Sequence, residues 1–199
     1  MIGQVDNKYI LFTSNDQLLC LDQHAIHERI LLEEMEEKLK KKMIQNSIST
    51  AQLDTRCQVS SIQGRVLNNQ RYRQHLMSWG FHYSINKNSS LLISTTPVIE
   101  GESLTRLDFI EFVDYLFRNE DLPILTLKPP SVNRILASKA CRTAIKFGDP
   151  IPFQECEKGS FNNSPKHHFH SNVPMVAQVL FHYSHFRRTV DPSVIVNRP

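Results

Sequence analysis

The residues best equipped for chemistry lie together near the N-terminal end: Asp22-Gln23-His24-Ala25-Ile26-His27-Glu28, with Glu33 five residues further on. His24 and Glu28 stand four apart, so on a helix both side chains project from one face. An imidazole and a carboxylate placed in this way can share a metal ion, and Asp22 at the mouth of the helix could bind a second ion or orient water. The same spacing also reads as two solvated side chains, because His/Glu pairs on helices are common and usually carry no ligand. His27 falls off that face and is expected to meet solvent or to pack beside the acidic side rather than to ligate a metal.

Such a site needs a strand to deliver Asp22 and a helix to carry His24 and Glu28. QVDNKYILFTS is rich in β-branched and aromatic residues, Asn15-Asp16 supplies a turn, and QLLCLD returns as a second, more buried strand, giving a β-hairpin. Asp22 then suits the N-cap of a helix in which Ile26, Ile30, Leu31, Met35 and Leu39 recur at helical spacing. Glu33, Glu34, Glu36 and Glu37 line its exposed side, and the lysines from Lys38 to Lys42 complement the dipole at its C-terminal end. A strand handing over to a helix is a common place for site residues in α/β folds.

Residues 51–128 read as a separate lobe. TRCQVSS and SLLISTTPVI are strand-like, and VLNNQRYRQHLMSWG predicts one helix closed by Gly80. Another helix, over 108–118, places Phe109, Phe112, Val113, Leu116 and Phe117 on its apolar face. A Pro-punctuated connector over 122–130 leads to Ser131, the expected cap of a helix VNRILASKACRTAIKF that Gly148-Asp149-Pro150 stops. From Gly159 onward the texture changes to a polar, histidine-rich stretch with no convincing period, and no internal repeat is visible.

At 199 residues, 40% hydrophobic and 22% charged, the chain can bury a core as one domain with an inserted lobe. A net charge of +3 is compatible with nucleic acid without demonstrating it. No apolar run approaches the roughly 18–20 residues a bilayer span requires, and Met1 is not followed by a charged-then-apolar leader, so an intracellular protein is expected. Cys20, Cys57, Cys141 and Cys156 are widely separated with no CxxC pair, which in a reducing compartment reads as buried thiols with one or two metal ligands among them.

DQHAIHERILLE resembles the DQHA-x-x-E-x-x-x-x-E endonuclease signature of MutL-type DNA mismatch repair proteins. The preceding QVDNKYIL and the later Ala140-Cys141-Arg142, followed by AIKFGD, fit the same C-terminal endonuclease and dimerisation domain over roughly residues 1–158. The resemblance implies an α/β fold, a mixed sheet with packed helices built from 1–50 and 129–158, interrupted by a smaller regulatory lobe over 51–128. It also implies a metal-dependent site that nicks duplex DNA. Asp22 and Glu28 would be its catalytic carboxylates, and His24, Glu28 and Cys141 its metal ligands. Gln23, Glu33 and Arg142 would support them, with Arg142 able to pair with a carboxylate or a phosphate. Without the resemblance, Cys141 reads as a buried small thiol on a core helix. The mixed ligands favour zinc, with manganese or magnesium as ions for activity. The expected partners are another MutL homologue in a heterodimer and duplex DNA, with a sliding clamp implied by family alone. The surroundings are most similar to the eukaryotic, meiotic-type branch, which implies a nuclear protein acting in mismatch repair and meiotic recombination.

The family also uses a C-x-H-G-R-P segment near its C-terminal end, and the sequence has none. Where it should fall stand Ser171-Asn172-Val173-Pro174-Met175-Val176-Ala177-Gln178-Val179. The codons TCC AAT GTG CCC ATG GTC GCC CAA GTG encode these residues. Entered one base earlier with a T, the same bases read FQCAHGRPS. Only the methionine codon followed by a valine leaves no freedom; the other steps select among allowed third bases. Upstream, SFNNSPKHHFH permits LIQQLSKTSLPF in that frame, an amphipathic helix followed by the expected loop. We therefore expect a one-base frame change near Lys158, a tail over 159–199 that is poorly ordered, and an accidental origin for His167, His168, His170, His182 and His185, which lack regular ligand spacing. A non-catalytic dimerisation or scaffold module is the alternative reading.

Overall fold

The computed structural model describes residues 3–14, 17–86, 89–151 and 181–182. Strands β1 (Gly3–Val5), β2 (Tyr9–Ser14) and β3 (Gln17–Asp22) form an antiparallel meander. The one strand expected from QVDNKYILFTS is split in two. Asp6 and Asn7 take φ of 53° and 47°, and the Lys8 N–H donates to Val5 O at 3.1 Å. Positive φ at both central residues is the type I′ hairpin geometry, which Asp and Asn tolerate better than most residues. β2 and β3 then pair from Tyr9↔Asp22 to Ser14↔Gln17, and the expected turn residues Asn15 and Asp16 lie outside the described set.

Helix α1 (Gln23–Ile44) follows β3 without a loop, and its Ile26 packs with Ile10 and Ile151 in a core that Leu21, Ile30 and Ile145 extend. The chain divides at Leu31/Leu32 and at Ala140/Cys141 into two compact units.

The unit Leu32–Ala140 holds a sheet in the order β4 (Thr50–Gln58), β6 (Ser90–Ile99), β5 (His82–Ile85), with β7 (Glu102–Ser103) paired to β6. The expected single helix over 66–80 is two: α2 (Ser61–Asn68) and α3 (Gln70–Ser78). Asn69 causes the break. Its backbone is extended, its N–H closes α2, and its side chain accepts from Arg71 N–H to open α3. Helix α4 (Arg106–Arg118) starts two residues before the expected position because Thr105 and Asp108 form a capping box. Phe109, Phe112, Val113 and Leu116 are buried as expected, whereas Phe117 is 38% exposed. Phe81 meets Phe109 edge-on at 5.1 Å between ring centres.

Helix α5 (Pro130–Thr143) corrects two expectations. Ser131 does not cap it: Pro130 occupies the first helical position, where its missing N–H costs nothing, and Ser131 is buried with no hydrogen-bond partner for its hydroxyl among the described residues. The helix also ends at Thr143, before the Gly148-Asp149-Pro150 stop, for a reason that belongs to the site below. Two residues of the C-terminal stretch, β8 (Phe181–His182), pair antiparallel with Leu18 and Gln17; the rest of the expected frame-shifted tail lies outside the described residues. With two sheets and five α-helices the described chain is α/β, and all its strand pairs are antiparallel.

Gly80 ends α3 in a Schellman motif, with Gly80 N–H on Met77 O at 2.9 Å and Phe81 N–H on Leu76 O at 3.2 Å. Its φ is +92°, and a Cβ there would lie 2.8 Å from Thr50 Cγ2. Gly80→Ala is expected to destabilise this unit by about 1–3 kcal/mol, read as a lower urea midpoint. His75 is buried and bonds through Nε2 to Leu127 O at 2.8 Å. Burial holds its pKa below the usual 6.5, against the smaller raising effect of that carbonyl. The unfolded chain therefore takes up the proton first. The stability contributed is whole above about pH 6.5 and is lost as pH falls toward the lower folded value. Wild-type stability should decline as pH falls below about 6.5, and His75→Gln should lessen that decline in urea melts.

Candidate metal centre

Asp22 ends β3 and caps α1, its Oδ1 accepting the Ala25 N–H at 3.0 Å, as its position in sequence predicts. That cap sets the helix phase, so residues 23, 24, 27 and 28 face particular neighbours. Gln23 is fully buried, and its amide is saturated. It accepts from Gln4 Nε2 at 2.6 Å and donates to Lys146 O at 2.8 Å and Asp149 O at 3.3 Å. A buried carboxamide left unpaired would cost several kcal/mol on cyclohexane-type scales, roughly 4–8, so this pairing is a condition of the fold.

His24 and His27 both engage Ile145, from opposite ends of that residue. His24 Nδ1 lies 2.8 Å from Ile145 O; a carbonyl only accepts, so Nδ1 carries the proton and the Nε2 lone pair is left free to ligate. The Ile145 N–H donates to His27 Nδ1 at 2.9 Å. His27, expected toward solvent or the acidic side, is 3% exposed, because the chain after α5 comes to meet it. These bonds explain the early end of α5. The peptide groups of residues 145 and 146 are committed to the side chains of His24, His27 and Gln23, and Lys146 N–H to Asp149 Oδ2, so they cannot continue the helix. Lys146 Nζ in turn donates to Cys141 O at 2.6 Å, satisfying a carbonyl of the last turn.

Cys141, in that last turn, is exposed, contrary to a buried-thiol reading, and its Sγ lies 3.8 Å from His24 Nε2. Glu28 Oε2 lies 3.5 Å from the same nitrogen, and one ligand atom from each of the three residues falls within 4.8 Å of the others. Zinc bonds of ordinary length at a tetrahedral angle place S and N about 3.6 Å apart and N and O about 3.3 Å apart. The two edges that meet at His24 Nε2 are within a few tenths of an ångström of these, so the imidazole stands at tetrahedral spacing from both the thiol and the carboxylate. The hydrogen bond from His24 Nδ1–H to a backbone carbonyl is the orienting contact such a ligand normally carries. His24 and Glu28 are half-buried, which leaves the cluster open on one side.

The remaining sequence candidates are not part of this three-residue cluster. Asp22 is half-buried and serves the helix cap; Glu33, five residues from Glu28, is turned about 140° around α1 and is exposed; Arg142 is exposed beside Cys141. The segment expected to supply C-x-H-G-R-P, and the side chains of the tail histidines, lie outside the described residues. Sequence reasoning misses Gln4, Ile145 and Lys146, which act through backbone or amide groups and carry no signal in residue type or period. It also misses Tyr9 and Phe147, whose rings lie 6.5 Å apart, with Phe147 6.2 Å from the His24 ring.

Comparison with known proteins places the chain among mismatch repair proteins. The chain is 31% identical over 172 residues to the DNA mismatch repair protein MLH3 of Arabidopsis thaliana, covering 78% of this chain and 14% of that protein. It is 31% identical over 153 residues to the DNA mismatch repair protein MutL of a Wolbachia strain, covering 76% and 23%. With the mismatch repair endonuclease pms1 of Dictyostelium discoideum it shares 27% over 172 residues, covering 82% and 16%. The chain thus spans less than a quarter of these curated relatives' length. Residues 2–151 match the family described as the MutL C terminal dimerisation domain, and the chain belongs to that family.

Proposed function

We propose that this domain is the metal-dependent DNA-nicking and heterodimerising C-terminal part of a nuclear MutL homologue, acting in mismatch repair and meiotic recombination. The observation that carries the reading is the approach of Glu28 Oε2 at 3.5 Å and Cys141 Sγ at 3.8 Å to His24 Nε2, with His24 held in the ligating tautomer by Ile145 O. A divalent ion there, zinc by its ligand chemistry with manganese or magnesium as alternatives for activity, would acidify a bound water and neutralise phosphate charge. His24, Glu28 and Cys141 would hold the ion. Asp22 fixes the start of α1 and would be the further catalytic carboxylate, while Arg142, next to Cys141 in sequence, would support the site by pairing with a carboxylate or a phosphate. The name of the Dictyostelium relative, a mismatch repair endonuclease, supports nicking, and the family's dimerisation role supports a second MutL homologue as partner.

A second reading, a non-catalytic dimerisation module, is favoured by one observation: the sequence lacks C-x-H-G-R-P. The one-base frame change near Lys158 reconciles the two, restoring the missing thiolate and imidazole. Sequencing genomic DNA and transcript across codons 155–180 decides between them. An extra or missing base that restores CAHGRP is expected; a continuous spliced frame that encodes the chain as it stands moves the protein to the non-catalytic class.

Cobalt(II) titration of the full chain should give a thiolate-to-metal band that Cys141→Ser abolishes, with His24→Ala weakening affinity by at least about tenfold. Asp22→Asn in the frame-restored chain should abolish nicking of duplex DNA and leave folding intact, since Asn caps a helix as well as Asp. Nicking that survives Asp22→Asn would remove Asp22 from catalysis, and loss of folding would give it a structural role.

A further inference from the structure

Tyr9 and Phe147 are exposed by 40% and 51%, an unusual condition for two neighbouring aromatic rings held on fixed backbone. Tyr9 follows the β1–β2 turn. Phe147 lies in the segment after α5, where Gly148 N–H donates to Asn7 O at 2.8 Å and Lys146 N–H to Asp149 Oδ2 at 2.9 Å. The two segments are thus bonded to each other, and the rings meet at 6.5 Å with 41° between planes. Phe147 also approaches the imidazole of His24 at 6.2 Å and 59°. The exposed pair therefore borders the candidate ligand His24 through Phe147.

Each ring is preceded by a lysine, half-buried Lys8 before Tyr9 and exposed Lys146, whose Nζ donates to Cys141 O, before Phe147, and exposed Arg142 adds a third cation to the same unit. Lys8 pairs with the exposed Asp6 at 2.8 Å, a contact that solvent screens. Cations interleaved with exposed aromatic rings are the composition of surfaces that stack single-stranded bases while tracking their phosphates. We infer that Tyr9 and Phe147 form a stacking shelf for an unpaired nucleobase next to the strand to be cut, an inference that rests on the nicking function proposed above. A stacked base must leave its helix, so the shelf selects DNA in which a base is already unstacked, at a bulge, flap or single-stranded gap, over perfect duplex.

The test uses the full chain, metal-free in chelator, and fluorescence anisotropy of two labelled DNAs: a perfect duplex and the same duplex with a three-nucleotide bulge. Wild type should prefer the bulged DNA by roughly tenfold. Phe147→Leu, which keeps apolar bulk without a ring, and Tyr9→Ala should each lose most of that preference; Phe147→Trp should retain it. Cobalt(II) absorption, read on every variant, reports folding and the ligand cluster separately. Equal affinity of wild type for the two DNAs overturns the shelf, as does a Phe147→Leu protein with wild-type preference and an intact cobalt spectrum. Ring-dependent bulge binding by a chain that shows no thiolate–cobalt band keeps the shelf and overturns the metal reading of the adjacent cluster.

Discussion

Both imidazoles of one helical turn grip a single residue, Ile145, one through its carbonyl and the other through its N–H. Much of the site depends on that double contact. An amide taken by His27 and a carbonyl taken by His24 are withdrawn from α5, whose last helical residue is Thr143. Cys141 consequently sits in a terminal turn beside the N-terminal turns of α1. The same contact sets the His24 tautomer, so the group that anchors the chain also decides which ring nitrogen faces the thiol. Structural bonding and the orientation of the candidate ligand His24 are one arrangement.

Gln23 extends the arrangement outward. Its amide joins Gln4 of the edge strand to the carbonyls of residues 146 and 149, and Gln4 completes the circuit by accepting from Ile151 N–H. The acidic and imidazole groups of the motif are thus carried on a floor of neutral amides. A charged residue at position 23 would place an ion where the structure supplies a donor to one side and acceptors to the other, which is why a glutamine rather than a glutamate fits there.

How far the sequence discloses this depends on the kind of physics involved. Asp22 as a cap and the His24/Glu28 pairing come from helical period and capping chemistry, and the core positions Ile26, Leu31 and Met35 come from the same period. Cys141 is 117 residues from His24, so its approach is invisible to any local pattern and is legible only through family resemblance. His27 escapes the sequence reading because period ranks residues by helix face but is silent about a backbone that arrives to cover that face. The split of the first strand at Asp6-Asn7 and the break at Asn69 are backbone-conformation choices that β-propensity and apolar spacing average over. Tyr9 and Phe147 read as ordinary strand and helix aromatics until the early end of α5 puts one of them in a loop.

The candidate cluster is assembled from two short stretches, residues 22–28 and 141–146, which the other unit separates in sequence. In polymer terms that unit is a loop whose ends are clamped by the Ile145 contacts. The entropic cost of closing a flexible loop rises by only about 0.6 kcal/mol for each doubling of its length. Insertions or deletions within the intervening unit therefore change the closure term little, provided its own fold survives, and need not shift His24 relative to Cys141. The geometry of the candidate cluster is thus insulated from the length of the intervening unit, which can change without the cluster having to be rebuilt.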